Sequence, residues 1–325
     1  MVAGLTFRRG VRAAFHKAGG LRVARWVHRK GLRILMYHRF SDPADLESQC
    51  RHIRDNYCPV SLAQVDSWLT SGDPLPVNSI AITVDDGYRD FRDVGYPVFA
   101  AWQIPVTVYV VSDFLDGRLW LWVDQVKYAL LHSPLRRFRT ELPDGKVLEF
   151  PLETADQRRT AVRETCEAFK RQPNETRLSA LAALPEWLKI AIPASPPAED
   201  APLAWEDVQR MADGIATFGA HTRTHPVLSC VPAESDLYRE IEGSKLRIEE
   251  VLDRPVDHFC YPNGGPGDIT PKCVEVVRRA RFRTAVTTRT GLNYAAGDRF
   301  LLRRIGVEPG LDALYFQQCA AAFRV

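Results

Sequence analysis

The sequence has 325 residues, of which 46% are hydrophobic and 26% charged, a balance that suits a globular protein with a large core and excludes a low-complexity, disordered chain. No apolar run approaches the ~20 residues of a membrane-spanning helix, and the seven cysteines show neither a C-x-x-C spacing nor a disulfide framework. The net charge of +3 conceals an asymmetry: residues 1–33 carry nine Lys/Arg and no Asp or Glu, which leaves 34 basic against 40 acidic side chains, a balance of −6, in the rest.

In chain order, the first element is a basic helical arm over residues 1–31. Val11, Phe15 and Ala18 share a helix face, Gly19-Gly20 interrupts it, and Leu21, Ala24 and Val27 resume it. Such a helix either packs across the body with a solvated Arg/Lys face or lies on an anionic membrane surface through residues 1–30. No continuous apolar core of a signal peptide is present, and unpaired thiols suit a reducing compartment. The chain therefore reads as cytoplasmic, with a peripheral place on the inner membrane face if the arm meets lipid. Nucleic acid is not an expected partner, because the body is acidic and carries no nucleic-acid motif.

Seven strand-like runs follow: Leu32–Tyr37, Ile80–Val84, Pro105–Val111, Ile215–Ala220, Val256–Tyr261, Arg283–Thr287 and Leu301–Val307. Helical segments alternate with them, at Leu46–Tyr57, Leu62–Thr70, Tyr88–Trp102, Trp205–Ala212, Ala233–Leu252 and Pro271–Ala280. This alternation predicts a parallel sheet with crossover helices, closed like a barrel. One connection, between Val111 and Ile215, is about a hundred residues long where a βα unit needs only a short loop and a helix. It holds a helix ending near Leu131, a turn at Asp144-Gly145, a helix over Ala155–Lys170 and a Pro-rich connector at Ile192–Asp200. Residues 113–200 are read as an inserted, mostly helical subdomain, with the barrel formed by 32–112 and 201–325. Trp120 and Trp122 within it serve either its core or a sugar-stacking platform.

The polar candidates fall at the carboxyl ends of these strands, where α/β folds bind ligands. His38 ends the first, Asp85 and Asp86 the second and His221 the fourth, and Asn263 follows the fifth. Gly87 lets the chain turn so that both carboxylates approach one point; on its own, Asp-Gly is also an ordinary solvated turn. Pro226 disfavours a helix at His225, so His221 and His225 belong to a strand end folding into a loop. Taken together, two imidazoles and one carboxylate can hold a divalent cation with an acid to spare; they suit Zn²⁺ and also admit Co²⁺, Mn²⁺ or Ni²⁺.

These residues carry a resemblance. Thr83-Val84-Asp85-Asp86-Gly87 resembles the first motif of the polysaccharide deacetylases, which include the nodulation-type chitooligosaccharide deacetylases, and His221-Thr222-Arg223-Thr224-His225-Pro226 resembles the second. Tyr261-Pro262-Asn263-Gly264 is similar to the third motif, and Leu302-Arg303-Arg304-Ile305 stands where the last belongs. The resemblance runs from Ile34 to Val307. It implies a distorted (β/α)₇ barrel, here with the insertion, and a hydrolase that removes an N-acetyl group from an N-acetylated glycan or glycolipid, in cell-surface glycan synthesis. It further implies Asp86, His221 and His225 as metal ligands, Asp85 as general base and Asn263 as oxyanion donor. Tyr88 and Tyr261 are expected to contact substrate. Two positions depart from the family pattern. Cys260 stands where an arginine normally orients the base, and Arg303-Arg304 where a histidine normally protonates the leaving amine. Arginine is no ordinary proton donor; His38 at the same rim can take that role or serve structurally, and Arg304 or Arg303 can orient Asp85 or bind an anionic substrate group. The alternatives are deformylation of a lipid-linked formamido sugar, a non-catalytic glycan-binding relative, and a non-sugar amidase.

Overall fold

The computed structural model describes residues 19–323. The helix face drawn through Val11, Phe15 and Ala18 lies outside the described residues; the second half of the arm is a helix, Gly20–Val27.

The strands are β1 (Arg33–Tyr37), β2 (Cys58–Pro59), β3 (Ser79–Val84), β4 (Val106–Val110), β5 (Arg137–Glu141), β6 (Val147–Pro151), β7 (Ala216–Ala220), β8 (His258–Cys260), β9 (Thr284–Thr290) and β10 (Leu302–Gly306). β1 pairs in parallel with both β10 and β3, so the order β1-β10-β9-β8-β7-β4-β3 returns on itself as a closed barrel of seven parallel strands. All seven coincide with the runs read from sequence. The closure is irregular: β7 and β8 share a single register pair, Ala220↔Phe259, and the β9–β10 register shifts between Leu302 and Arg304. β2 pairs with the first residues of β3, at Cys58↔Ser79.

Alternation along each strand sorts the side chains into two layers. Leu35, Ile82, Val108, Phe218, Phe259 and Ile305 join the outer layer beneath the helices. Ile34, Ala81, Tyr109, Cys260, Val286 and Leu302 form the inner cluster, and the helix Leu62–Thr70 adds Leu62 and Val65 to it. The interior is tight enough that a Cβ on Gly219 would stand 2.7 Å from both the Tyr109 ring and the His258 carbonyl.

The predicted helix over Tyr88–Trp102 begins later than expected. Tyr88 forms a bridge with Pro202, a π turn spans Phe91–Gly95 and the α-helix runs only from Tyr96 to Ala101. Pro97 carries no N–H, which suits the first turn of that helix. The long connection holds its own hydrophobic cluster, built from residues 122–188. It comprises the helix Trp122–His132, the β5–β6 hairpin, and the helices Ala155–Lys170 and Asn174–Leu188. The turn read at Asp144-Gly145 is the hairpin's loop, but the two strands and the last helix had no counterpart in the sequence analysis. Phe114, Leu115 and Leu121, inside the expected insertion, pack in the barrel's outer layer instead. No helix among the described residues is long and apolar enough to cross a membrane.

Candidate metal centre and its flanking carboxylate

At the end of β3 the chain enters the left-handed region twice, at Asp86 (φ 74°) and Gly87 (φ 85°). This sharp turn frees Asp86 from strand alternation, so Asp85 and Asp86 reach neighbouring points instead of opposite faces. A Cβ at Gly87 would also stand 3.0 Å from Val110 Cγ1, so both conformation and space favour glycine here. Past β7, Thr222 (φ 66°) and His225 (φ 57°) turn the second motif back on itself, and Thr222 Oγ1 accepts the His225 N–H at 3.0 Å. Glu240, on the helix Glu234–Leu252, pins the loop by accepting the N–H groups of Arg223 (3.0 Å) and Thr224 (2.8 Å) and the Thr224 hydroxyl (2.8 Å).

The two turns meet. Asp86 Oδ1 lies 3.5 Å from His221 Nε2 and 3.4 Å from His225 Nε2, and one ligand atom from each of the three residues lies within 4.8 Å of the others. All three are buried. His221 Nδ1 faces the Cys260 carbonyl oxygen at 2.7 Å, which holds that nitrogen as a donor and makes Nε2, on the Asp86 side, the nitrogen that would give up its proton to a cation. The donor set of two imidazoles and one carboxylate fits a divalent cation. The electrostatics agree. Burial opposes ionisation of Asp86, yet its hydrogen bond with His221 and the nearby His225 hold it below the usual carboxylate range. Burial pushes His225 down to about 3, so its ring is neutral at pH 7. Burial also opposes charge on His221, but Cys260 and Asp86 outweigh it and raise its pKa well above the ordinary value.

Asp85 lies beside this cluster, one of its oxygens within 4.8 Å of ligand atoms of His221 and Cys260, and is held by Arg304. The guanidinium donates to both carboxylate oxygens, Nη1 to Oδ1 and Nη2 to Oδ2, each at 2.7 Å, a bidentate fork. Its remaining donors are aimed by the Thr287 carbonyl (2.8 Å), Thr83 Oγ1 (3.1 Å) and Cys260 Sγ (3.1 Å). β10 and β3 are not neighbours in the barrel, so this contact crosses the interior. Burial would raise the Asp85 pKa, but the charge and hydrogen bonds of Arg304 bring it below the ordinary range. Of the two roles considered for Arg304, orienting Asp85 is the one its buried position (1% exposed) permits. Arg303 points the other way along β10 and is exposed. Cys260 is small enough to leave Arg304 room, with its sulfur 3.5 Å from Asp85 Oδ2. His38 Nε2 lies 3.7 Å from Asp85 Oδ2 with 39% of its side chain exposed, an open position at the same rim.

Other expected residues fall differently. Asn263 sits at φ 60°, with its Nδ2 buried and unpartnered. Tyr261 is corrected: it is wholly buried in the outer layer, its ring centroid 5.1 Å from that of Phe259. Strand alternation turns Cys260 inward and Tyr261 outward, away from any substrate. Tyr88 is buried, and its hydroxyl donates to Asp124 Oδ2 at 2.6 Å.

That last contact involves residues the sequence reading missed. The helix Trp122–His132 touches the second motif and the residue that follows the first: Asp124 takes the Tyr88 hydroxyl, and Trp122 Nε1 donates to the His225 carbonyl at 3.3 Å. Burial, with Asp200 close by, pushes Asp124 up to about 6. Trp122 also packs in the insertion's cluster, beneath the Arg177 guanidinium 5.1 Å from its ring centroid. No local pattern in the sequence marks these contacts, because their partners lie 36 and 103 residues away.

Comparison with known proteins bears on the fold and the family. A family model described as polysaccharide deacetylase matches residues 163–285, a stretch that contains the second and third motifs but not Asp85 and Asp86. A poly-beta-1,6-N-acetyl-D-glucosamine N-deacetylase of Escherichia coli (strain K12) is 31% identical over 103 residues, which cover 28% of this chain and 15% of that protein; the chain thus spans only a small part of that relative's length. Among solved structures, IcaB from Ammonifex degensii superposes with a TM-score of 0.58 at 18% identity, covering 90% of this chain and 97% of that one. Streptococcus pyogenes deacetylase PplD in complex with acetate gives 0.57 at 17% identity, covering 89% and 98%. At these identities the structural likeness establishes the fold.

Proposed function

Because the chain carries a polysaccharide deacetylase domain on the barrel of that fold, we propose that it is a metal-dependent hydrolase that removes the N-acetyl group from an N-acetylated sugar in a polysaccharide, oligosaccharide or lipid-linked glycan. The observation that carries this reading is Asp85: a carboxylate beside the Asp86, His221 and His225 groups, with both oxygens taken by the Arg304 guanidinium and kept toward its ionised form. A binding module has no use for a spare base so held. The Escherichia coli relative is named for N-deacetylation of a poly-N-acetylglucosamine, which makes an N-acetylhexosamine polymer the leading substrate class.

Asp86, His221 and His225 would hold the cation, which when bound would supply Lewis-acid polarisation of water and of the amide carbonyl. Asp85 accepts the proton of the water that attacks the carbonyl carbon. Its low pKa keeps it ionised and ready at neutral pH, while Arg304 fixes the direction of its lone pairs. His38, across from Asp85 and open to the rim, donates a proton to the amine nitrogen as the C–N bond breaks, releasing acetate and a free amino sugar. Asn263, turned by its positive φ, donates to the oxygen that gathers negative charge; losing one such donor typically costs about 10²–10³ in rate.

The test is acetate and formate release from N-acylhexosamine oligomers. Acetate should appear and should stop on metal removal; release that persists after complete chelation contradicts the mechanism, and formate in place of acetate identifies the acyl group as formyl. Asp85→Asn should lower kcat by about 10²–10⁴ while metal content stays unchanged. Full turnover by that variant would remove Asp85 from the role of base.

A further inference from the structure

The end of the barrel opposite the metal centre has an unusual surface. On the helix Gly20–Val27, Val23, Trp26 and Val27 are 62%, 65% and 58% exposed, and their spacing of three and four places them on one stripe. The helix leads into a cavity of about 420 Å³ lined by Arg29, Lys30, Trp68, Leu75, Val77 and Tyr294, among others, and by no Asp or Glu among the described residues. Val77 and Tyr294 are themselves 63% and 50% exposed, so five of the nine large apolar side chains left exposed among the described residues gather on this helix and at this cavity. Tyr294 also borders a second cavity, of about 750 Å³, where His28, Arg289 and Arg303 meet one acid, Asp298. Leu32, just before β1, and Ser79, the first residue of β3, line the smaller cavity, which places it at the N-terminal ends of the strands.

We infer that this face docks on an anionic phospholipid surface. Isolated exposed apolar residues are ordinary; an apolar stripe with a tryptophan, ringed by cations and almost free of acids, is the chemistry of an interfacial helix. Charge complementarity selects the occupant. Arg22, Arg29 and Lys30 flank the stripe, and residues 1–33 hold nine basic and no acidic side chains while the remainder of the chain is net negative. Arg29 stacks its guanidinium 4.6 Å from the Trp26 ring centroid, so charge and aromatic surface are presented together, as at a headgroup boundary. A consequence follows for the catalytic rim. Asp85 follows the last residue of β3 and Ser79 is its first, so roughly 20 Å of strand separates rim from docking face. The rim then looks into the aqueous phase, toward a glycan chain extending from the surface and away from sugars fixed at the headgroups.

The experiment is co-sedimentation of the full chain with phosphatidylglycerol-containing vesicles and with pure phosphatidylcholine vesicles, which needs no turnover and so stands or falls apart from the enzymatic reading. The native chain should partition onto the anionic vesicles, more weakly as salt rises. The triple change Val23→Asp, Trp26→Asp, Val27→Asp should reduce that partition at least tenfold, and the Ser triple at the same positions, which adds no charge, should also reduce it. Leu178→Asp with Leu246→Asp, two exposed apolar positions elsewhere, should leave it unaltered. The inference is overturned if the native chain ignores anionic vesicles or if the triple variants bind as well as the native chain. It is also overturned if the face proves to join two copies, seen as a native dimer that the triple change converts to monomer.

Discussion

Arg304 shows how a barrel can replace one residue from a different strand. The base-orienting arginine expected at position 260 is a cysteine, and the guanidinium arrives instead from β10, across the interior, to meet both oxygens of Asp85. Burial favours the neutral acid and Arg304 favours the carboxylate; the carboxylate wins. Replacing Arg304 with Met should therefore raise the Asp85 pKa, and because only the ionised form accepts a proton, the acid limb of the kcat–pH profile should move to higher pH. Arg304→Lys, which keeps the charge but loses the fork, should move it less. An unmoved acid limb in both variants would dissociate Arg304 from the base. The same residues mark the reach of sequence reasoning. The Asp85-Asp86 pair and the His221–His225 loop stood out because each begins where an apolar strand ends; their roles as base and ligands belong to the proposal. Tyr261 was misread because motif proximity says nothing about which face of a strand a side chain takes.

At the scale of elements, the strands were easy to read because burial on both faces makes them short apolar runs. The helix Asn174–Leu188 was hidden: Pro173 and Pro185 bracket and interrupt it, and both are local signs of a break. The β5–β6 hairpin was hidden for another reason: Arg137, Arg139, Glu141 and Glu149 charge most of its exposed positions, and its inward ones are few. These elements matter because the long connection reaches the candidate centre: Trp122 bonds the His225 carbonyl and Arg177, on the helix Asn174–Leu188, packs over Trp122. Trp122→Phe keeps most of the buried ring while deleting the donor to the His225 carbonyl, and should weaken metal affinity about tenfold, in the range for outer-shell partners, with little loss of fold. Metal titration of the two proteins checks this; equal affinities would reduce the Trp122 contact to packing.

For the whole molecule, the link between protonation and metal is the broadest consequence. Without a cation, His221 is driven toward its charged form while His225 remains neutral. Metal binding must then expel a proton from His221, so affinity should rise with pH up to the raised His221 pKa and level off above it. Calorimetry in buffers of different ionisation enthalpy should record about one proton released per metal bound near neutrality. The large-scale plan was legible where alternation of strand and helix forced a closed parallel sheet, and the long connection leaves the end of a strand and so emerges at the rim; its particular contacts there were not legible, because they join residues remote in sequence.

The account rests on three ligand groups converging beside one free acid. Anomalous diffraction at the zinc edge, from crystals of the full chain grown with zinc, measures this most directly. The account predicts one peak bonded to a carboxylate oxygen of Asp86 and to Nε2 of His221 and His225, at about 2.0–2.2 Å, with Asp85 unbonded and still paired to Arg304. A peak elsewhere, or one that takes Asp85 and Cys260 as ligands in place of Asp86 and His225, would contradict it.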